Sequence, residues 1–255
     1  MSLKIFDLSG RRALITGSSQ GIGFALAQGL ASAGAEIVLN GRNEDRLAAA
    51  ADTLRAGGAS VRQAAFDATD AQAVSAGVDR VEDEAGAIDI LINNAGMQFR
   101  TPLQDYPHDK WHELMRTNID SAFLVGQAVA RHMIGRKAGK IINICSVQSE
   151  LGRPGIAPYA ASKGALKMLT KGMCIDWAGF GIQVNGIGPG YFKTELNQAL
   201  VDDPEFSAWL EKRTPAGRWG DVEELTGAAI FLSSDACSFV NGHILYVDGG
   251  ITASL

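Results

Sequence analysis

Short apolar runs alternate along the whole chain with longer segments that carry apolar residues every three or four positions. The short runs predict strands, and the three-to-four spacing predicts amphipathic helices. Seven strands are predicted, at residues 12–16, 36–40, 60–66, 89–93, 140–145, 183–187 and 244–247. Strands that alternate with helices are typical of parallel βαβ units, so we expect one doubly wound α/β sheet of seven parallel strands with helices on both faces.

Two helices have clear signals. Asp221 and Glu224 form a capping-box pattern, and the helix it begins has an apolar face made of Val222, Leu225, Ala229 and Leu232. A longer helix follows Pro158, and its apolar stripe consists of Leu166, Leu169, Met173 and Trp177. Such stripes are typical of core or subunit contacts. Because the alternation continues without a linker or low-complexity tract, we expect residues 1–255 to form a single domain.

One segment, from Thr194 onward, interrupts the alternation beside the expected ends of the strands. Its apolar residues include Leu196, Leu200, Phe206 and Trp209. We expect residues 194–215 to form a mobile helical lid over a substrate site. A fixed helical insertion is the alternative.

Composition and charge exclude several classes. Hydrophobic residues make up 46% and charged residues 20% of the 255 residues, which is typical of a globular protein with a sizeable core. The net charge of −5 gives no basic footprint for nucleic acid or an anionic membrane. No apolar run approaches the roughly 18 residues of a membrane helix, and the N-terminal residues lack a secretory signal. We therefore expect a cytoplasmic protein with neither a nucleic-acid nor a membrane partner.

The cysteines and histidines indicate no metal site. Cys145, Cys174 and Cys237 form no CxxC motif, so we expect buried free thiols. His108 and His112 are four apart, a helical spacing that can bind metal, but no third histidine or cysteine joins them.

A glycine-rich turn follows the first predicted strand directly. It reads Thr16-Gly17-Ser18-Ser19-Gln20-Gly21-Ile22-Gly23 and opens an apolar helix. Glycines let backbone N–H groups approach a pyrophosphate, whose charge is favoured at a helix N-terminus. The pattern therefore predicts a dinucleotide site, and a purely structural turn is the alternative.

The end of the second predicted strand bears on the adenosine ribose. An acidic residue there binds the 2′-hydroxyl of NAD, whereas an arginine accommodates the 2′-phosphate of NADP. This chain has Asn40-Gly41-Arg42, with no carboxylate. Arg42 favours NADP(H), and a role for Arg42 at the end of a solvated turn is the alternative.

A phenol and an ammonium lie four residues apart at Tyr159 and Lys163, on one face of a predicted helix. Ser146 follows a strand end, where ligands bind in open α/β sheets, and Asn118 lies in a helical segment. Oxidation of an alcohol needs a base, and a phenol with a pKa of about 10 needs that pKa lowered by a nearby cation. We expect Tyr159 to exchange the proton, Lys163 to lower its pKa, Ser146 to bind the reacting oxygen and Asn118 to hold a water.

Five motifs occur in order along the chain: Thr16-Gly17-x-x-x-Gly21-Ile22-Gly23, Asn93-Asn94-Ala95-Gly96, Asn118 with Ser146, Tyr159-x-x-x-Lys163 and Pro189-Gly190. Over essentially its whole length the sequence resembles the short-chain dehydrogenase/reductase family. The resemblance implies a Rossmann-type fold, a nicotinamide cofactor, usually a homotetramer, and a catalytic tetrad of Asn118, Ser146, Tyr159 and Lys163.

The same resemblance implies cofactor contacts along the chain. They comprise Gly17, Ser19, Gln20, Gly21, Ile22 and Gly23 in the first turn, Arg42, Asp67 at the adenine, Asn94, Ala95 and Gly96, Tyr159 and Lys163, and Pro189, Gly190 and Thr194 at the nicotinamide. Many NADP-using relatives carry a basic residue where this chain has Gln20. NAD(H) therefore stays possible beside NADP(H).

The loops around the predicted site resemble one subgroup of the family. Residues 139–159, 213–220 and 247–252 are similar to those of bacterial gluconate 5-dehydrogenases. That similarity implies reversible, NADP-linked interconversion of D-gluconate and 5-dehydro-D-gluconate. A sugar acid needs a cation for its carboxylate and polar groups for its hydroxyls. The substrate candidates are Gln98, Arg100, Ser146, Gln148, Arg153 and Tyr159.

Three other functions stay open. Another polyol or sugar dehydrogenase shares every motif. A 3-oxoacyl-[acyl-carrier-protein] reductase also shares them, and it needs a basic face for an acidic carrier. Arg131, Arg136, Lys137 and Lys140 could form such a face, although a solvated helix end is the simpler interpretation. The non-enzymatic alternative is a nucleotide-binding redox sensor.

Overall fold

The computed structural model describes residues 3–254. Its sheet has seven parallel strands in the order β3-β2-β1-β4-β5-β6-β7. The strands are β1 (Arg12–Ile15), β2 (Glu36–Gly41), β3 (Val61–Ala65), β4 (Ile90–Asn93), β5 (Gly139–Ile144), β6 (Ile182–Pro189) and β7 (Ile244–Val247). Each matches a predicted strand to within two residues at either end, and the predicted fold class is confirmed.

Helices cover both faces of the sheet. Within residues 3–254 they are α1 (Gly21–Ser32), α2 (Glu44–Ala56), α3 (Ala71–Glu84), α4 (His108–Met115), α5 (Ser121–Arg136), α6 (Ala157–Trp177), α7 (Gln198–Val201), α8 (Pro204–Arg213) and α9 (Thr226–Ser233). Leu26 of α1, Leu47 of α2 and Leu232 of α9 pack on one face. Val78 of α3 and Val129 of α5 pack on the other. None of the helices in this part of the chain is long and apolar enough to cross a membrane.

The strands are apolar on both faces, because both are covered by helices. In β1, Ala13 and Ile15 belong to the core under α1, whereas Leu14 belongs to the core under α3 and α5. The sheet reverses its strand order between β1 and β4. In open α/β sheets a ligand-binding crevice forms at such a switch point, beyond the carboxyl ends of the strands.

The predicted helix signals are confirmed, with one change of geometry. Asp221 and Glu224 form the capping box, but the first turn after it (Val222–Leu225) is a 3₁₀ turn that leads into α9. Leu166 and Met173 in the stripe of α6 are buried. Cys145 and Cys237 are buried free thiols, whereas Cys174 is half-buried.

Residues 194–215 do form helices. A 3₁₀ turn at Glu195–Asn197 leads into α7 and α8. Phe206 and Leu210 pack with Trp219 and Val147 in a small apolar cluster beyond the sheet edge. Asp203 caps α8 by accepting from the N–H groups of the first turn. The helical prediction is therefore confirmed, and the mobility of this lid stays a prediction.

The expected solvated basic helix end is wrong for two of its residues. Lys140 lies in β5 and is buried, and its ammonium donates to the carbonyl oxygen of Cys237. Arg136 forms an ion pair with Glu82 and donates to the carbonyl oxygen of Ile88. The helix ends at Lys137 in a left-handed conformation, which turns the next residues into the sheet. The strand was predicted from residue 140 onward, but the buried contact of its first lysine was not.

Candidate active site

A cavity of about 450 Å³ opens at the carboxyl edge of the sheet, beside the switch point between β1 and β4. Its walls come from the ends of β1, β4, β5 and β6, the start of α6 and the lid. The structure brings most of the predicted site residues together there. The lining includes Gly17, Gln20, Gly21, Ile22, Asn94, Ala95, Gly96, Gln98, Arg100, Ser146, Gln148, Arg153, Tyr159, Lys163, Pro189, Gly190 and Thr194.

The first turn is open on its cavity side and tightly packed behind. Gly21 has a φ of +58°, and a Cβ there would meet no atom within 4 Å. A Cβ at Gly23 would lie 2.4 Å from Nδ2 of Asn94 and 2.6 Å from the carbonyl oxygen of Gly17. The glycines thus hold the turn against β4 and leave space for a group that approaches the N-terminus of α1.

Asn94 fixes the turn by hydrogen bonds. Its Nδ2 donates to the carbonyl oxygens of Thr16 and Gly17, each at 2.9 Å. In return, Oγ1 of Thr16 accepts from the backbone N–H groups of Asn94 at 2.9 Å and Ala95 at 3.0 Å. This arrangement couples the ends of β1 and β4, and the role of Asn94 toward a cofactor stays a prediction.

Arg42 and Asp67 lie together outside the cavity. Their side chains approach to 3.7 Å, and 79% of the Arg42 side chain is exposed. Asp67 also accepts from the backbone and the hydroxyl of Thr69 at 2.8 Å. Ser19 and Gly23 are likewise absent from the cavity lining. The roles of these residues toward a cofactor stay predictions.

A second arginine reaches the same end of the site. Nη1 of Arg46 donates to Oε1 of Gln20 at 3.3 Å. Asn43 caps α2 by accepting from the backbone N–H of Arg46, which places Arg46 in the first turn of that helix. The sequence analysis missed Arg46. Its spacing of four from Arg42 was the available signal, because it puts both guanidinium groups near the start of α2.

Tyr159 and Lys163 lie one turn apart at the start of α6. Nζ of Lys163 is 5.8 Å from the centre of the Tyr159 ring and donates to the carbonyl oxygen of Ile144 at 2.7 Å. Burial lowers the pKa of Lys163 to about 8. Burial raises the pKa of Tyr159, while the Ser146 hydroxyl and the Arg100 guanidinium oppose that rise. Ser146 and Arg100 thus favour the phenolate, and the role expected for Lys163 in lowering the pKa of Tyr159 stays a prediction.

Asn118 lies in a π-helical turn (Arg116–Asp120) between α4 and α5 and is buried. Its Nδ2 donates to the Met97 carbonyl oxygen at 3.1 Å and to Oγ of Ser162 at 3.0 Å, and its Oδ1 accepts from the Met97 N–H at 2.8 Å. Both amide hydrogens are therefore in use. Asn118 ties the β4 loop to α6, and its water-holding role stays a prediction.

The cavity is electropositive. Arg100, Arg153 and Lys163 line it, and Glu195 is the one carboxylate in its lining. Arg100 donates to Oδ1 of Asn197 at 3.0 Å and to the carbonyl oxygen of Leu196. The Arg153 guanidinium lies 5.2 Å from the centre of the Phe206 ring. Neither arginine forms an ion pair with any described side chain.

Four buried polar atoms around the cavity have no hydrogen-bond partner among residues 3–254. They are Oε1 of Gln98, Oε1 of Gln148, Nε of Arg153 and Oγ1 of Thr194. Buried polar groups are normally paired, since an unpaired one costs about 1–3 kcal/mol. Their concentration at one cavity indicates a polar ligand that supplies the missing partners.

Sequence comparison identifies relatives along nearly the whole chain. A family model described as enoyl-(acyl carrier protein) reductase matches residues 17–252. The chain is 62% identical to a gluconate 5-dehydrogenase of Gluconobacter oxydans strain 621H, over 98% of both chains. It is 55% identical to a 5-keto-D-gluconate 5-reductase of Escherichia coli K12, over 98% of this chain and 99% of the relative.

The fold agrees with the sequence comparison. A crystal structure of a gluconate 5-dehydrogenase from Burkholderia cenocepacia J2315, in complex with NADP and tartrate, superposes with a TM-score of 0.98 at 62% identity. All of both chains is covered.

Proposed function

Because the chain belongs to the short-chain dehydrogenase/reductase family, we propose that it is an oxidoreductase that interconverts D-gluconate and 5-dehydro-D-gluconate with NADP(H). The observation that carries the substrate class is the cavity itself. Two arginines without a carboxylate partner lie beside unpaired buried polar atoms of Gln98, Gln148 and Thr194. A sugar acid supplies a carboxylate for the guanidinium groups and hydroxyls for the amides.

The residues at the switch point fit NADP(H). The turn that starts at Gly17 leaves the space beside Gly21 free of protein atoms, and Asn94 holds it in place. Arg42 beside Asp67 and Arg46 beside Gln20 supply two guanidinium groups for the proposed adenosine end, where a 2′-phosphate needs positive charge. Pro189, Gly190 and Thr194 also line the cavity, and they are our candidates for contact with the nicotinamide.

The side chains divide the proton chemistry among them. When bound, NADP(H) would supply the hydride acceptor for oxidation and the hydride donor for reduction. Tyr159 takes the hydroxyl proton during oxidation and donates it during reduction. Ser146 donates to the reacting oxygen as negative charge develops there, because its Oγ accepts from the Gln148 N–H at 3.1 Å and keeps its own proton free. Lys163 and Arg100 supply positive charge around the phenolate.

The alternatives fit the cavity less well. An acyl chain would leave the polar atoms of Gln98 and Gln148 buried without partners. The basic face expected for an acidic carrier is also incomplete, because Lys140 is buried and Arg136 is paired with Glu82. A redox sensor would need no base beside the substrate end, whereas Tyr159 and Ser146 both line the cavity.

We also propose a homotetramer. Exposed apolar side chains on α4, α5 and α6 support this assembly, namely Trp111, Phe123, Met168 and Ile175. Mass measurement in solution tests it, and a monomer at micromolar concentration would exclude it. A cytoplasmic address stays a prediction from the sequence.

The change in nicotinamide absorbance tests the proposed activity. Purified protein is mixed with NADP and D-gluconate. Parallel assays use NAD in place of NADP, or an acetoacetyl thioester together with NADPH. We expect turnover with gluconate, and a loss of about 100- to 10,000-fold in the Tyr159→Phe variant with cofactor binding retained. Tyr106→Phe is the matched control, because Tyr106 is buried and lies outside the cavity lining. Inert gluconate together with thioester reduction would overturn the proposal, and undiminished turnover by Tyr159→Phe would overturn the role of Tyr159.

A further inference from the structure

Tyr191 and Gln148 form a hydrogen-bonded pair in the cavity wall. Nε2 of Gln148 donates to the Tyr191 hydroxyl oxygen at 3.2 Å. Both residues line the cavity, and Oε1 of Gln148 is buried without a partner. Tyr191 directly follows Pro189-Gly190 at the end of β6, a position that the motif analysis left without a role.

The pair keeps both donors and acceptors that its own hydrogen bond does not use. With Nε2 donating to the phenol, the Tyr191 O–H proton and Oε1 of Gln148 are free. If the amide is turned over, Nε2 and a lone pair of the phenol oxygen are free instead. In either orientation the pair complements a group that both donates and accepts. A secondary hydroxyl is such a group, whereas a carboxylate or a methylene is not.

Neighbouring residues hold the pair in place. The Tyr191 ring packs edge-on against Trp219 and Trp209, with ring centres 5.9 and 6.3 Å apart, and at a tilt against Phe206, with ring centres 5.8 Å apart. The backbone N–H of Gln148 donates to Oγ of Ser146 at 3.1 Å. A hydrogen-bonding pair that is fixed before the substrate arrives selects more strongly than a mobile one.

The pair shares the cavity lining with Tyr159 and Arg100. Burial raises the pKa of Tyr159, and Tyr191 adds to that rise. Burial lowers the pKa of Arg100, and Tyr191 opposes that fall. The phenol is therefore within electrostatic reach of both the proton-transfer residue and a carboxylate-binding arginine. Such a position suits a hydroxyl on the carbon chain between the reacting carbon and the carboxylate.

We propose that Tyr191 and Gln148 form a specificity determinant that recognises one secondary hydroxyl in the middle of the sugar-acid chain. This inference rests on the proposed function and deepens it. The pair selects the fully hydroxylated acid over deoxy acids of the same length, because a substrate without that hydroxyl leaves a buried donor and acceptor unpaired.

Deoxy substrates and conservative variants test the proposal together. We would measure kcat/KM with NADP for D-gluconate, 3-deoxy-D-gluconate and 4-deoxy-D-gluconate. For the wild type we expect kcat/KM to be lower by about tenfold to a hundredfold with one of the two deoxy acids. Tyr191→Phe and Gln148→Met should each lower kcat/KM for gluconate and leave that for this deoxy acid within about threefold, so that the preference largely disappears.

Controls separate recognition from folding. Tyr106→Phe removes a buried phenol oxygen that has no hydrogen-bond partner and lies outside the cavity lining, so it should keep the wild-type preference. NADPH affinity, measured by fluorescence, should stay within about twofold in all variants, since hydroxyl recognition does not involve the cofactor.

The outcomes distinguish this inference from the activity on which it rests. Turnover of gluconate by a wild type that accepts both deoxy acids equally well would overturn the inference alone. Unchanged preference in both Tyr191→Phe and Gln148→Met would do the same. A wild type that does not oxidise gluconate at all would overturn the proposed function, and the inference with it.

Discussion

The ammonium of Lys163 donates a 2.7 Å hydrogen bond to the carbonyl oxygen of Ile144. Lys163 is only 4% exposed, and burial lowers its pKa from 10.5 to about 8. At neutral pH the fold therefore encloses a charge that is more stable in water. A shift of this size lowers the free energy of unfolding at neutral pH by about 3 kcal/mol.

We predict that Lys163→Met removes turnover and raises the free energy of unfolding at pH 7 by about 1–3 kcal/mol, the lower figure allowing for the lost hydrogen bond. The unfolded lysine binds its proton at a higher pH than the folded one. Wild-type stability therefore increases relative to the variant as the pH rises from about 8 to about 10.5.

Urea unfolding at pH 7 and at about pH 9.5 measures how far the difference in unfolding free energy between wild type and Lys163→Met decreases as the pH rises. Lys171→Met, at an exposed position on the same helix, should leave stability nearly unchanged at both values. A Lys163→Met protein that is less stable than wild type, with the same difference at both pH values, would contradict the prediction.

The pKa of Tyr159 determines how the two directions of the reaction depend on pH. Burial raises this pKa, so the side chain stays protonated through the neutral range. Reduction needs the phenol, and its kcat/KM should be flat between about pH 6 and pH 8. Oxidation needs the phenolate, and its kcat/KM should rise with pH by up to about tenfold per unit.

A variant of Arg100 tests whether the pH dependence of oxidation comes from Tyr159. Its guanidinium opposes the rise in the pKa of Tyr159, so in Arg100→Ala the oxidation limb should move to higher pH. Parallel pH profiles of wild type and variant would be measured in both directions. Oxidation that is independent of pH below about 8 would show that Tyr159 does not govern the rate.

The sequence predicts those features that depend on local patterns. Apolar runs identify all seven strands, since both faces of a parallel sheet are buried. The spacing of Gly17, Gly21 and Gly23 predicts the turn, because only glycine fits beside Asn94 at position 23. Tyr159 and Lys163 are found because a helical repeat places them on one face.

The missed features depend on contacts between distant segments. Arg46 meets Gln20 only when α2 packs beside the first turn. Asn197 reaches Arg100 across 97 positions of sequence. Lys140 was predicted to begin a strand and also to belong to a solvated basic stretch, but β5 is an interior strand and the ammonium donates to the carbonyl oxygen of Cys237, just after α9. No short sequence pattern predicts contacts between such distant residues.

Cofactor preference tests the two arginines at the adenosine end. We predict that Arg42→Ala raises KM for NADP by about tenfold or more and leaves KM for NAD nearly unchanged, because a 2′-phosphate loses a charge-assisted contact. Arg46→Ala should act in the same direction, since its guanidinium lies 3.3 Å from Gln20.

The exposed Arg80 of α3 offers a matched control, for which both KM values should stay as in the wild type. Initial rates with both cofactors at saturating gluconate make the comparison. Equal losses with NAD and NADP in either variant would argue for a structural role of that arginine.

Two Gly→Ala changes should differ in their effects, since one should weaken NADPH binding and the other should stabilise the fold. At Gly23 the new methyl group would lie 2.4 Å from Nδ2 of Asn94, so the turn must move, and we expect at least a tenfold loss in NADPH affinity. At the exposed helical Gly135 it would meet no atom within 4 Å, and we expect stabilisation by about 0.5–1 kcal/mol with normal affinity. Fluorescence titration and thermal unfolding measure both effects, and unchanged NADPH affinity in Gly23→Ala would refute the close-packing argument.

Arg100 and Arg153 should contribute unequally to binding of the sugar acid. Arg100 already donates to Asn197 and Leu196, whereas Nε of Arg153 is buried without a partner. A substrate carboxylate therefore gives Arg153 more new hydrogen bonds. We predict that Arg153→Ala raises KM for gluconate by about tenfold to a hundredfold, and that Arg100→Ala raises it by a smaller factor.

Arg80→Ala again serves as the control, and KM for NADP should stay constant in all three variants. Unchanged gluconate KM in both cavity variants would exclude the arginines as the carboxylate site. A larger effect at Arg100 would mean that the substrate displaces Asn197 from the guanidinium when it binds.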